Sequence, residues 1–174
     1  FEAKNKIIKL IVDEKPDIIH LNNIYHQISP SILHAIKKYN LPVVMSLRDY
    51  KLVCASYLML LKGKICHACS NERYYNCYLT KCVKNSRLKS LLSTFEMYLH
   101  HKILHVYDLV DIFISPSQSL KSNLLKMGFN GNIVYLPNFV NLSEYKPKYN
   151  FRENSVTYFG RISSEKGIVT LIEA

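Results

Sequence analysis

Four short apolar runs, separated by segments with helical periodicity, constrain this chain more than any other feature. They are Asp17-Ile18-Ile19-His20-Leu21, Leu41-Pro42-Val43-Val44-Met45-Ser46-Leu47, Val110-Asp111-Ile112-Phe113-Ile114 and Ile133-Val134-Tyr135-Leu136. Each is nearly unbroken in hydrophobicity and too short for a helix, the pattern of a parallel strand covered on both faces. The intervening segments read as helices. Residues 2–14 set Ile7, Ile8, Leu10, Ile11 and Val12 among lysines, and Lys15-Pro16-Asp17 ends that helix. Ser29 followed by Pro30 is a helix start, an N-cap and then a proline where no N–H is needed, with Ile32, Leu33 and Ile36 continuing to about Tyr39. Ser115-Pro116-Ser117 precedes a helix carrying Leu120, Leu124 and Leu125 and closed by Gly128. Alternating helix and strand with short links predicts an α/β fold with a doubly wound parallel sheet. Ligands of such sheets bind beyond the C-terminal strand ends, which makes residues 22–27 and 48–50 the candidate functional loops.

Size and charge fit this reading. The 174 residues suit one α/β domain, and a 48% hydrophobic content supports an ordinary core. The chain starts at Phe1 and stops at Ala174 just as a helical pattern begins, so it reads as an internal piece of a longer protein. No apolar run reaches the roughly 18 residues of a spanning helix. A net charge of +10 favours anionic partners: nucleotide phosphates, anionic lipid headgroups or nucleic acid.

Residues 51–84 break the rhythm and hold all five cysteines, Cys54, Cys66, Cys69, Cys77 and Cys82, in the spacing C-x11-C-x2-C-x7-C-x4-C. Gly63 is placed to turn a small hairpin of residues 57–61 with 64–66. A CxxC with further cysteines nearby is a zinc signal, four of the five being the ligands. The usual second CxxC is missing, so free or disulfide-forming thiols remain the other reading. Residues 86–106 follow as a helix with a stripe of Leu88, Leu91, Leu92, Phe95, Leu99, Ile103 and Val106 and basic ends. Such a stripe ordinarily packs onto a sheet. The alternative is that it lies on an anionic bilayer. His101 and His105, spaced i,i+4, read as part of the polar face rather than a metal pair.

Residues 146–152 are polar, carry Pro147 and read as a linker. Beyond them Ser155-Val156-Thr157-Tyr158-Phe159-Gly160-Arg161-Ile162-Ser163-Ser164-Glu165-Lys166-Gly167 reads as a strand over 156–159, a glycine turn and a helix start. Gly160 lets backbone approach closely, Arg161 forks onto two phosphate oxygens, and Lys166 adds a point charge. A plain turn with solvated charges fits the same string.

Four landmarks recur in a shared order: Lys15-Pro16-Asp17-Ile18-Ile19-His20, Ser115-Pro116-Ser117, Leu136-Pro137-Asn138-Phe139-Val140-Asn141, and Phe159-Gly160-Arg161-Ile162-Ser163-Ser164-Glu165-Lys166-Gly167. In that order they resemble the glycosyltransferase family 4 (group 1) enzymes. The cysteine-rich insert that follows Asp49-Tyr50-Lys51-Leu52-Val53-Cys54 resembles one subgroup of that family. The resemblance implies a GT-B architecture of two Rossmann-like domains. Residues 1–145 would be the acceptor-side domain and 153–174 the opening of the donor-side domain. It implies retaining transfer of a sugar from a nucleotide-sugar donor to a polysaccharide or glycolipid acceptor, with no metal cofactor required for catalysis and no nucleic-acid partner. The protein would be cytoplasmic, in peripheral contact with the inner face of the cell membrane. Gly160, Arg161 and Lys166 match the donor-diphosphate site, and Asn22, Asp49 and Asn138 are candidates for the cleft lining. Three departures stand out. Arg48 holds the position where the subgroup carries histidine, so no catalytic role is carried onto it. Asn22 stands where a histidine is common. The family's N-terminal glycine-rich loop and distal carboxylate motif fall outside the sequence. The strand at 156–159 would then lack sheet partners. Two other readings are a catalytically silent relative and a zinc-stapled basic module for nucleic acid.

Overall fold

The computed structural model describes residues 2–25, 28–146, 156–163 and 166–174. It divides into two compact units, Phe1–Asn138 and Phe139–Ala174. Gln27 of the first candidate loop, residues 147–152 of the expected linker, and Ser164 and Glu165 of the charged turn lie outside the described residues.

The first unit is built on a four-stranded parallel sheet of β1 (Ile19–Asn22), β2 (Val43–Ser46), β5 (Ile112–Ser115) and β6 (Ile133–Tyr135), in the spatial order β1-β2-β5-β6. All four predicted runs form strands, and three helices fall where periodicity placed them: α1 (Glu2–Glu14), α2 (Ile32–Lys37) and α5 (Gln118–Lys126). Local chemistry sets their ends. Ser117 caps α5 by accepting the Leu120 N–H at 3.1 Å, and Gly128, at φ +94°, closes it. Ser29 is left-handed at φ +73° instead of extended, yet its hydroxyl accepts the Ser31 N–H at 3.3 Å as a cap would. α2 therefore begins two residues later than Pro30 suggests. Asp111 fixes the register between helix and sheet, accepting from the Val43 N–H at 2.6 Å and pairing with Lys37 at 2.7 Å. The Lys37 hydrogen bond holds its carboxyl below the usual range.

Register places Leu21, Met45, Phe113 and Ile133 side by side across the sheet, and all four are buried. The alternate positions are not. His20 and Val134 are exposed, while Val44, Ile112 and Ile114 are half-buried. The runs were expected to be covered on both faces, but in the described residues only the Leu21 side is fully packed. Apolar content alone does not report which face has a neighbour.

The cysteine-bearing residues contribute to this core. The predicted hairpin forms as β3 (Leu60–Leu61) and β4 (Lys64–Ile65), with Lys62 and Gly63 both at positive φ, the requirement of a two-residue type I′ turn. Then come a short 3₁₀ turn, Ser70–Glu72, and α3 (Tyr75–Thr80).

The long helix departs most from expectation. Ser86 caps it by accepting the Lys89 N–H, but α4 spans Arg87–Tyr98 only, then widens into a π-turn over Leu99–Ile103. Its apolar stripe does not pack onto the sheet: Leu88 is 67% exposed, Leu92 61% and Phe95 62%. The buried positions are Ser90, Thr94 and Met97. The cause is α3, which packs on this side. Thr94 Oγ1 donates to the Tyr74 carbonyl at 3.2 Å, and Ser90 Oγ accepts the Val83 N–H at 3.1 Å. Small polar side chains admit the close approach that a leucine stripe would block. His101 also departs from its expected polar face, lying half-buried between the rings of Tyr107 and Tyr74 at 4.7 and 5.4 Å.

In the second unit the strand expected at residues 156–159 is absent. These residues are irregular and Phe159 is fully exposed. A strand needs a neighbour for its backbone groups, and none of the described residues supplies one. The helix that should follow the turn does form, as α6 (Ile168–Glu173) after Gly167 at φ +68°.

Candidate functional site

The C-terminal strand ends of the sheet gather the polar residues singled out in the first unit. Asn22 ends β1 and pairs in register with Ser46 of β2. Arg48 follows two residues later, and its Nε donates to Asn22 Oδ1 at 3.3 Å. Both side chains are exposed, so the pair sits at the mouth of the strand ends. Asp49 is partly buried, and its Oδ1 accepts the Lys51 N–H at 2.8 Å, an Asx turn that bends the chain away from the sheet. The structure thus joins Asn22 with Arg48 and puts Asp49 next in the chain. Asn138 is exposed at the end of this unit.

This loop is held rigidly from below. Tyr50 exchanges backbone bonds with Tyr57 and Cys54, and its phenol accepts from Asn123 Nδ2 at 3.1 Å. Lys51, only 2% exposed, drives its ammonium onto Glu96 Oε2 at 2.9 Å. The sequence reading missed this ion pair. The available signal was that Glu96 is the lone carboxylate of α4, although nothing in spacing ties it to a residue 45 positions earlier. Tyr25 lies under the same loop with its ring 6.3 Å from Tyr107. Burial, with the Asp49 charge second, pushes its phenol far above the usual tyrosine range. Tyr25 is therefore a neutral hydroxyl whose oxygen is buried without a hydrogen-bond partner among the described residues.

In the second unit Gly160 takes φ +155°, and a Cβ there would stand 2.8 Å from the Tyr158 hydroxyl, which donates to the Arg161 carbonyl at 2.9 Å. Gly160→Ala should therefore open this turn, losing the Tyr158 hydrogen bond, with nuclear magnetic resonance shifts confined to about five residues around it. Lys166 donates its N–H to the Ser163 carbonyl at 3.0 Å. Gly160 and Arg161 stand before residues 164–165, which are outside the described residues, and Lys166 stands just ahead of α6.

A cavity of about 530 Å³ opens beside Phe113, lined by Tyr74, His101, Lys102, Phe113, Phe129 and Gly131 among others. Of the candidate site residues named from the sequence only Cys69 touches it. The five cysteines are free thiols, and among the described residues no three of His, Cys, Asp and Glu are arranged to hold a metal ion.

A four-stranded parallel sheet flanked by helices, with its polar loops at the C-terminal strand ends, defines a Rossmann-like α/β domain. Residues 1–144 match the family model Glycosyltransferase Family 4, and the chain belongs to that family. No curated protein and no solved structure matches it. Membership gives the chain a glycosyltransferase-like function.

Proposed function

We propose that this chain belongs to a retaining glycosyltransferase that moves a sugar from a nucleotide-sugar donor to a polysaccharide or glycolipid acceptor. Family membership across residues 1–144 carries the reading. Residues 1–145 are then the acceptor-side domain, with Asn22, Asp49 and Asn138 facing the cleft, and residues 153–174 open the donor-side domain. Arg161 and Lys166 hold the donor diphosphate. Negative charge grows on the leaving phosphate oxygen as the glycosidic bond breaks, so fixed cations there act most strongly in the transition state. Catalysis in this scheme needs no metal cofactor. In the whole protein, Arg161→Ala and Lys166→Ala should each lower kcat/KM for donor by at least about tenfold. Unchanged kinetics in both variants would remove the diphosphate assignment. A product of inverted anomeric configuration, read by nuclear magnetic resonance, would overturn retention.

The Arg48–Asn22 hydrogen bond supports a second reading, a catalytically silent relative. An arginine cannot serve as a neutral imidazole or a base at neutral pH. If Arg48→His gains no transfer activity while donor still binds, the silent reading stands.

The exposed stripe of α4 supports peripheral contact with an anionic membrane at the cytoplasmic face. Leu88, Leu91, Leu92 and Phe95 form one exposed apolar row, and Arg87 and Lys89 are exposed beside it. Among the described residues no helix is long and apolar enough to cross a membrane. Apolar insertion and cationic attraction act together in such helices. Leu92→Glu with Phe95→Glu should reduce co-sedimentation with phosphatidylglycerol vesicles by about tenfold or more. Equal binding by the variant, or binding indifferent to lipid charge and salt, would exclude this surface.

A further inference from the structure

The end of α3 carries a thiol pair that glycosyl transfer does not use. Lys81 there is left-handed, at φ +50°. Its N–H donates to the Tyr78 carbonyl at 3.3 Å, and the N–H of Cys82 donates to the Cys77 carbonyl at 3.3 Å. These two bonds make a Schellman motif, which brings together one side chain in the last helical turn and one just past the end, ordinarily as an apolar contact. In this chain those positions are Cys77 and Cys82, and their Sγ atoms stand 3.1 Å apart with Cys82 donating to Cys77. The C-x4-C spacing is what this turn converts into contact. Two thiolates on one tetrahedral zinc, with bonds of about 2.3 Å, would stand roughly 3.8 Å apart. The observed pair is closer than that.

We propose that Cys77 and Cys82 are a redox modification site that closes to a disulfide under a peroxide oxidant and reopens with thiol reductant. Cys77 is buried and Cys82 partly exposed, so Cys82 is the sulfur that peroxide reaches. The Cys82 hydrogen bond favours ionisation of the pair by holding Cys77 below its usual range. The same hydrogen bond and burial hold Cys82 above its usual range, so the charge rests mainly on Cys77, and Cys82 becomes the nucleophile only as its proton passes to Cys77 across the short contact. The Cys82 thiolate attacks a peroxide oxygen, and the O–O bond breaks to leave Cys82 as sulfenic acid and a hydroxide ion. That hydroxide takes the Cys77 proton and becomes water. The Cys77 thiolate then attacks Cys82 Sγ and expels a second hydroxide, which solvent protonates. Two thiols and one hydrogen peroxide yield one disulfide and two waters: sulfur is oxidised, peroxide reduced.

The peptide map of the oxidised protein tests this. Reduced whole protein is treated with hydrogen peroxide, alkylated with iodoacetamide and digested with trypsin without reductant. Trypsin cuts after Arg73, Lys81 and Lys84, so the bridge joins residues 74–81 to residues 82–84. The expected result is that linked species, lighter by two hydrogens than its parts, replacing both alkylated peptides and lost on dithiothreitol treatment. Cys66→Ser should leave it intact and Cys82→Ser should abolish it. Alkylation of both Cys77 and Cys82 after oxidation of Cys66 overturns the proposal, as does a bridge from either to another cysteine. Purified protein that retains one equivalent of zinc, released by Cys82→Ser, overturns it in favour of a metal site.

Discussion

Replacing Glu96 by glutamine lowers the unfolding free energy by about 3 kcal/mol, a fall of roughly 9 °C in Tm for a chain of this size. Lys51 is 2% exposed, and its ammonium lies 2.9 Å from Glu96 Oε2. Removing the carboxylate leaves a cation buried without its counter-charge, the costly half of any buried pair. The Glu96 side chain is 28% exposed, so one end of the pair is already partly hydrated and the cost stays near the lower bound. His100, whose Nδ1 is 4.0 Å from Glu96, offers no substitute charge balance, because burial holds its pKa below the usual range and keeps it neutral at pH 7. The converse change costs less. Lys51→Met keeps the buried stem and frees Glu96 to turn to water, at about 1 kcal/mol or less. The double variant should recover most of the Glu96→Gln loss, which urea unfolding of the four proteins measures as a coupling energy. A Glu96→Gln cost below about 0.5 kcal/mol would show that Lys51 finds other compensation. Function is linked to the same pair. Lys51 lies two residues beyond Asp49, whose carboxylate accepts its N–H, so freeing its side chain loosens the loop that presents Arg48 and Asp49.

The sheet and most helices were legible because their causes are local. Apolar runs marked β1, β2, β5 and β6, the Ser117 cap and Gly128 bracketed α5, and the Lys62-Gly63 turn set the hairpin. What the sequence did not disclose was which neighbour each face would meet. The leucine row of α4 is amphipathic in the ordinary sense, yet Ser90 and Thr94 are the buried side because Val83 and Tyr74, which flank α3, hydrogen-bond to them. The strand expected at 156–159 failed for a related reason: its pattern was present but among the described residues no pairing strand stands beside it. At the site, Asn22 and Arg48 could be placed from strand order alone, since both follow the C-terminal ends of adjacent strands. The Lys51–Glu96 pair and the Cys77–Cys82 contact depend on three-dimensional closure. The second of these became readable only once the helix end was seen to be a Schellman turn.

Acidification from pH 7 to pH 4 costs the fold about 3 kcal/mol through His101 alone. This imidazole lies between the rings of Tyr107 and Tyr74, in a file that continues to Tyr25 on one side and Tyr98 on the other. Burial is the main cause that lowers its pKa to about 4. The nearby His100, Lys51 and Lys102 lower it further, and Asp108 opposes them. The sign follows from where protons bind. Above the unfolded value of about 6.5 the imidazole is neutral in both states and contributes no slope. Between 6.5 and 4 the unfolded chain takes up a proton that the folded chain refuses, so stability falls as pH falls. Below 4 both states are protonated and the loss levels off. Urea unfolding at pH 7, 5.5 and 4 measures the slope. His101→Phe keeps an aromatic ring in the file without the titrating nitrogen, and should remove about 3 kcal/mol of the acid-induced loss. If His101→Phe keeps the wild-type slope, the acid sensitivity belongs to other groups and His101 is protonated in the folded state. A protonated His101 would place a cation between two tyrosine rings, beside the cavity it lines. The file joining the Asp49 loop to the cysteine segment would then loosen from its centre, so acid would disturb the strand-end site and the thiol pair together.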